Sequence, residues 1–448
     1  MKTKILLIAL AFAAFARPLR AQMEFKYALD TGLHANDALH ERVAFSRVLK
    51  VAGVRPLRVH FAATSLGQGS YVRLTSVLDR EQQRLDAPTL ALWRNVSAWF
   101  NGDAVLFELV VAPGDSNVFA RVDKLVAPEP IPPKQFEPGP VIETICGDDD
   151  RVPSGDNRVG RLLGGGCTGW LIANGAALTA GHCVRGGALP GAFEVNVPPS
   201  NANGSPNAAA MVDQFPITVY QWQNAGLGGD WCIFGLGPNN IGERAHQKFG
   251  FFRVTDLTPS TSQDVRITGF GIDTEPAGSG PGGINSSSYT QQTAVGDVDS
   301  LNSDGDRRYY DYETDTEGAT SGSPLIWEQA SGWTIGVHTT GACTLVSDNY
   351  GTAFAYAPLF NAVNNWPGAG ARYLDSAVFP IDPEPSGTLF RPHHTLLDAW
   401  NSAPNGATVN IVAAPYPRGA GNTGVVIGQG ATKTVRFTAA TGPVTIGN

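Results

Sequence analysis

At 448 residues the chain is too long for one compact core, so two or three domains are expected. It is 42% hydrophobic and only 16% charged, which excludes a disordered chain, and its 52 glycines and 31 prolines favour a turn-rich, all-β architecture. The net charge of -8 offers no basic surface to nucleic acid and argues against an anionic membrane as partner.

In chain order, Lys2 and Lys4 precede an apolar run from Ile5 to Ala16. Small-residue cleavage motifs follow at Ala14-Phe15-Ala16 and Leu19-Arg20-Ala21. Residues 1–21 therefore read as an export signal. The run is too short to span a bilayer. A secreted, extracellular protein is expected, in a compartment where disulfides persist. The five cysteines, Cys146, Cys167, Cys183, Cys232 and Cys343, are odd in number, so at least one is unpaired within the chain.

Residues 22–125 alternate short apolar runs with turns. Leu57 to Phe61 and Tyr71 to Leu74 have a period of two, and Ala104 to Val111 is a more continuous apolar strand. About six such runs predict a small antiparallel β-sandwich with no polar constellation suited to chemistry. Residues 126–141 form a linker, because Pro128, Pro130, Pro132, Pro133, Pro138 and Pro140 exclude helix and sheet interior alike. A β-rich domain over 142–378 follows, with helical periodicity only from Ala355 to Trp366. The run Pro380 to Pro385 marks a second linker. The last segment, 379–448, pairs one short helical piece, Thr395 to Trp400, with strand-like runs at 408–412, 425–427, 434–437 and 444–446.

Three segments of the 142–378 domain carry chemistry. In the first, short strands flank Asn174-Gly175, a hairpin signal, and the second strand runs into Thr179-Ala180-Gly181-His182-Cys183. The hairpin brings Cys167 and Cys183 to its open end, within bridging reach. A disulfide there would fix the turn that carries His182, whose imidazole can take a proton from a hydroxyl and return it to a leaving amine. In the second, Asp230 opens the apolar strand Trp231 to Leu236. A charged carboxylate there needs a partner, and holding the Nδ1–H of a histidine is such a partnership. In the third, Thr316-Glu-Gly-Ala-Thr-Ser321-Gly-Ser-Pro324, small residues allow a tight loop that exposes the Ser321 hydroxyl. Such a loop can aim the Ala319 and Ser321 amides at one point, an oxyanion hole. Taken singly, each segment has an ordinary structural reading: a packing histidine, a turn-capping aspartate, a surface turn. Together they supply a nucleophile, its base and the group that orients the base.

At these residues the sequence resembles the chymotrypsin-like serine peptidases, and most of all the bacterial glutamyl endopeptidases. The motifs are Cys167-Thr-Gly-Trp-Leu-Ile172, Thr179-Ala-Gly-His-Cys183, Asp230-Trp231 and Ser321-Gly-Ser-Pro324, with Gly147-Asp-Asp-Asp-Arg151 similar to a segment near that family's mature N-terminus. The resemblance spans roughly Ile142 to Gly368. It implies two six-stranded β-barrels with the cleft between them, His182 and Asp230 on the first and Ser321 on the second. It also implies serine endopeptidase activity on protein or peptide substrates, with no cofactor and no metal. One departure stands out. The family usually has Gly two residues before the serine, where this chain has Ala319, which keeps the amide but disfavours positive φ.

By the same resemblance, Thr316 and His338, the latter in Gly336-Val-His338, would hydrogen-bond a substrate carboxylate and favour cleavage after Glu or Asp. A rival reading gives Asp315 the basic-side-chain receptor of trypsin-type enzymes. A second rival is a catalytically inert, surface-binding scaffold. Cys146–Cys343 is the expected second disulfide, leaving Cys232 as a small buried thiol in its apolar strand. The region before about Thr144 is expected to be removed or cut, by self-processing after Glu143. The final segment resembles the opening coil of right-handed parallel β-helix proteins and is expected to be a structural cap or a module for surface or polysaccharide contact. Asn302, Asp304, Asp306 and Glu313 have the spacing of calcium ligands, but Arg307 stands where such a loop needs glycine, so a solvated acidic turn is expected there. Asp148, Asp149 and Asp150 read as a charged surface turn.

Overall fold

The computed structural model describes residues 22–128, 145–184, 187, 189, 191–343, 348–366, 372–375, 386, 388–404, 407–412, 415–416, 435–439 and 445–446. The expected export signal, residues 129–144 with the expected cut after Glu143, the second linker at 380–385 and the run at 425–427 lie outside them. Residues 126–128, expected as linker, instead end the strand Phe119–Pro128, paired with Gln22–Asp30.

The N-terminal unit is antiparallel throughout. One sheet orders the strands Gln22–Asp30, Phe119–Pro128 and Arg58–Ser65, and the other orders Arg42–Lys50, Ala104–Val111, Tyr71–Ser76 and Gln82–Leu85. Alternation along these strands turns Val59, Phe61, Val72, Leu74, Phe107 and Leu109 into a common core. The helix Ala87–Leu92 starts where Asp86 caps the Thr89 amide.

Two barrels follow. The first sheet orders Gln214–Phe215, Phe193–Glu194, Val159–Leu162, Cys167–Leu171, Ala176–Thr179, Asp230–Leu236 and Ile217–Asn224. Its two outer strands are joined through Pro216, which brings the sheet ends together. The second orders Asp264–Gly269, Pro324–Trp327, Trp333–Thr340, Asn349–Ala353, Arg307–Tyr312 and Gln292–Asp304, with Val152–Pro153 at the edge. A further pairing of Asp264–Gly269 with Gln292–Asp304 closes this barrel on itself. The protein is thus all-β with two closed or nearly closed barrels, as the resemblance implied. The pairing of Asp264–Gly269 with Gln292–Asp304 removes an open edge from the second barrel's main strands.

The helix Ala357–Asn364 lies within the expected helical stretch. Beyond it, Arg372–Leu374, Thr408–Ile411 and Arg436–Ala439 form a parallel sheet, and Pro415–Tyr416 pairs in parallel with Thr445–Ile446. This parallel sheet begins at Arg372, inside the stretch the sequence assigned to the preceding domain. Phe390 stacks on Phe360 at 4.6 Å and meets Phe354 edge-on at 5.0 Å, tying the last unit to the barrels.

Candidate active site

His182 sits in a single 3₁₀ turn, Gly181–Cys183, that ends the hairpin whose strands are Cys167–Leu171 and Ala176–Thr179. The Cys167–Cys183 disulfide is formed across the open end of that hairpin. Gly181 is required there. A Cβ on it would lie 1.8 Å from the Gln223 carbonyl oxygen and 2.8 Å from that of Trp231, so only glycine lets the turn settle against the neighbouring strands.

Asp230, at the start of its strand, engages His182 twice. The His182 backbone N–H donates to Oδ1 at 2.8 Å, and Nδ1 lies 2.6 Å from Oδ2. The carboxylate is buried, whereas the imidazole keeps an exposed edge. Asp230 is itself fixed from the second barrel, where the Thr352 hydroxyl donates to its carbonyl at 2.8 Å. A carboxylate this close to Nδ1 favours the imidazole tautomer that carries its proton there.

Ser321 reaches the same place from the second barrel. Its carbonyl accepts from the Thr168 amide at 2.9 Å and lies 4.0 Å from Cys183 Sγ. Gly322 makes this approach possible. It has φ +92°, and a Cβ there would come within 2.2 Å of both the Thr168 carbonyl and the Thr179 hydroxyl. The loop is tightened by bonds from the Thr320 amide to the Glu317 carbonyl and from the Ser323 amide to the Thr320 carbonyl. Ala319 adopts φ +77°, the left-handed conformation that favours glycine. The residue type departs from the resembling family, but the backbone does not avoid positive φ on that account. Among the described residues, neither the Ala319 nor the Ser321 amide has a hydrogen-bond acceptor, so both are available to a ligand.

His338 lies fully within the second barrel on Trp333–Thr340. Its backbone is tied to the serine loop by Gly322 N–H to its carbonyl and by its own N–H to the Ser323 carbonyl, both 2.8 Å. Its Nδ1 is 2.5 Å from the buried Tyr312 hydroxyl. Burial, with the nearby charge of His182 adding to it, pulls the His338 pKa down to about 3. Burial raises that of Tyr312 well above the usual phenol range, so both groups stay neutral. Sequence reasoning missed Tyr312. It is one of three tyrosines in Tyr309-Tyr310-Asp311-Tyr312, and nothing local marks it out.

Thr316 is buried. Asp315 is turned to another task. Its carboxylate accepts the Cys146 amide at 2.6 Å and the Asp150 amide at 2.9 Å, and burial raises its pKa to about 6. The segment so held is also fastened by the Cys146–Cys343 disulfide. Cys232 is unpaired and buried, and burial pushes its thiol pKa up. Asp304 is ion-paired to Arg307 across a hairpin turn, and Asp149 to Arg151 at 2.6 Å.

The two barrels bring the His182–Asp230 pair and the Ser321 loop together. Residues 167–337 match the family model described as a trypsin-like peptidase domain. The chain is similar to a glutamyl endopeptidase of Bacillus licheniformis, 28% identical over 217 residues that make up 45% of this chain and 60% of that protein. The chain thus spans somewhat under two thirds of that relative's length. Among solved structures, one of a Glu endopeptidase in complex with MPD aligns with TM-score 0.36 and 20% identity over 48% of this chain and 97% of that one. The protease Anisep from Arthrobacter nicotinovorans aligns with TM-score 0.33 and 17% identity over 46% and 99%.

Proposed function

We propose that this chain is a secreted serine endopeptidase with Ser321 as nucleophile, His182 as general base and acid, and Asp230 as the group that orients His182. The observation that carries this reading is the doubly bonded His182–Asp230 couple on the turn against which the Ser321 loop is packed. The Ser321 hydroxyl attacks the peptide carbonyl and passes its proton to His182 Nε2. The oxyanion that forms accepts from the Ala319 and Ser321 amides. His182 then gives the proton to the leaving amine, and water hydrolyses the acyl-enzyme by the same route.

Glu, or Asp, is the residue proposed before the scissile bond, with Thr316 and His338 receiving its carboxylate. The named relative is a glutamyl endopeptidase. With Tyr312 donating to Nδ1, His338 keeps its proton on Nε2 and offers one neutral donor. A basic side chain would need Asp315, whose carboxylate already holds two backbone amides. Cleavage after Glu143 would place a new α-amino group just upstream of the Cys146 anchor and supply the positive charge that a neutral His338 lacks. The C-terminal module is proposed to contact a surface or polysaccharide.

The test combines labelling with cleavage-site mapping. Wild type should react with a fluorophosphonate probe and cut a denatured protein mixture after Glu, and Ser321→Ala should do neither. Failure of the wild-type serine to label would favour an inert scaffold, and cuts after Arg and Lys would favour the basic specificity.

A further inference from the structure

The N-terminal sandwich is not merely strung to the barrels. Its apolar core continues into the first barrel, where Leu163, Ala192, Ala208 and Met211 join the cluster that holds Leu90, Trp93, Trp99 and Phe100. Polar groups across this boundary are matched as closely as strand partners. The Gln214 side chain, wholly buried in the barrel, accepts the Trp99 amide at 2.8 Å and donates to the Trp99 carbonyl at 2.9 Å. Asn101 does the same for Ala208, donating to its carbonyl at 3.2 Å and accepting from its amide at 2.9 Å. Arg58 lies buried over the Trp99 ring at 5.0 Å, its charge facing that of the barrel's Glu194.

Separation of the two units would leave the Gln214 amide and both Trp99 backbone groups without these partners. It would also expose the shared apolar cluster to water. Burial of such groups is tolerated only when they are paired. The surface is therefore built for continued occupancy. It also reaches the candidate active site. Residues 163–166 turn between two strands of the first barrel. A Cβ on Gly164 would lie 3.1 Å from the Trp99 ring, and one on Gly166 would lie 3.9 Å from the Ala319 Cβ. One short turn thus runs from the Trp99 ring of the sandwich to the neighbourhood of Ala319.

We infer that the sandwich is a lasting subunit of the peptidase, docked through Trp99 and Asn101 on Gln214 and Ala208. A cut in the linker then yields a two-chain complex, not a free peptidase domain. The docked unit braces the 163–166 turn against Ala319. Only this last step rests on the catalytic reading above; the docking does not.

The test uses the full chain with a recognition site for a sequence-specific protease placed within 129–141. After complete cutting, gel filtration should return both pieces in one peak. Elution of the sandwich as a separate species overturns the proposal whatever the activity. In a second arm, Trp99→Ala in the same cut chain should raise the concentration needed to hold the complex at least tenfold. An unchanged dissociation constant would overturn the assignment of this surface. Because gel filtration needs no turnover, failure of docking and failure of the peptidase reading are separable.

Discussion

Ala319 is the residue at which sequence and backbone pull against each other. An L-residue with a Cβ in the left-handed region costs about 1–2 kcal/mol, and Ala319 sits there at φ +77°. The packed serine loop over-determines that conformation, since Gly322 and Ser323 are each bonded to His338. Ala319→Gly should therefore stabilise the protein by up to about 1 kcal/mol in urea unfolding, offset in part by the greater freedom of the unfolded chain, without lowering kcat. A loss of kcat would mean that the Ala319 methyl helps aim the amide. His338 gives a pH signature. Its folded pKa of about 3 lies below the ordinary 6.5, so the unfolded chain binds more protons throughout that interval. The stability it contributes is fully present above 6.5 and is lost as pH falls toward 3, about 3 kcal/mol between pH 6.5 and 4. Asp315, whose pKa is raised, runs the other way as pH falls through about 6. The comparison must therefore be wild type against His338→Gln, and the variant should lack the acid-side slope. Equal slopes would show that His338 titrates normally. His338 was legible in the sequence because a short motif carries it. Tyr312 was not, because its partner is 26 positions away and only barrel closure brings them together.

The histidine hairpin is the element most fully legible in advance. Asn174-Gly175 marked its turn, the flanking apolar runs marked its strands, and the spacing of Cys167 and Cys183 marked the bridge at its open end. All of this is local, so short-range chemistry suffices to specify it. The Cys146–Cys343 bridge was legible for a different reason. Cys232 is embedded in an apolar strand, which left those two thiols to pair. What the motifs did not reveal is how Asp315 is used. Its carboxylate holds the Cys146–Asp150 segment, a contact across 165 residues or more that no spacing rule encodes. The Cys167–Cys183 bridge closes a 16-residue loop. A Cys167→Ser/Cys183→Ser variant should lose about 3 kcal/mol of stability, on the loop-entropy estimate. At a temperature well below its Tm it should also show a reduced kcat, because the turn that presents His182 is released. A change under about 1 kcal/mol in urea unfolding would instead show that the hairpin's own hydrogen bonds fix the turn.

The whole molecule is organised by cores that cross its domain boundaries, which composition and linkers alone did not disclose. The proline-rich stretches at 126–141 and 380–385 mark where the chain changes character, but they say nothing about how the pieces meet. The C-terminal module is a case in point. Tyr373, Leu389, Phe390 and Val412 belong to the same buried cluster as Trp170, Phe252 and Phe354 of the barrels. Arg253 and Arg391 add ion pairs to Asp375 and Asp256 across the same boundary. The Leu389 amide is received by the Asn364 side chain at 2.9 Å. Domains joined by a sparse, polar contact unfold separately, whereas domains that share a buried apolar cluster lose their packing together. Calorimetry of the intact chain should therefore show the barrels and the C-terminal module melting in one transition. Phe390→Ala is the discriminating variant, because it removes the ring that contacts both Phe354 and Phe360. It should cost about 3–5 kcal/mol, the range for a buried aromatic truncated to alanine, and should lower the Tm of that single transition. An early, separate melting of the module, with the barrels unchanged, would mean that the shared cluster is divisible and that the C-terminal unit stands on its own core of Leu396, Ala399, Val409 and Ile411.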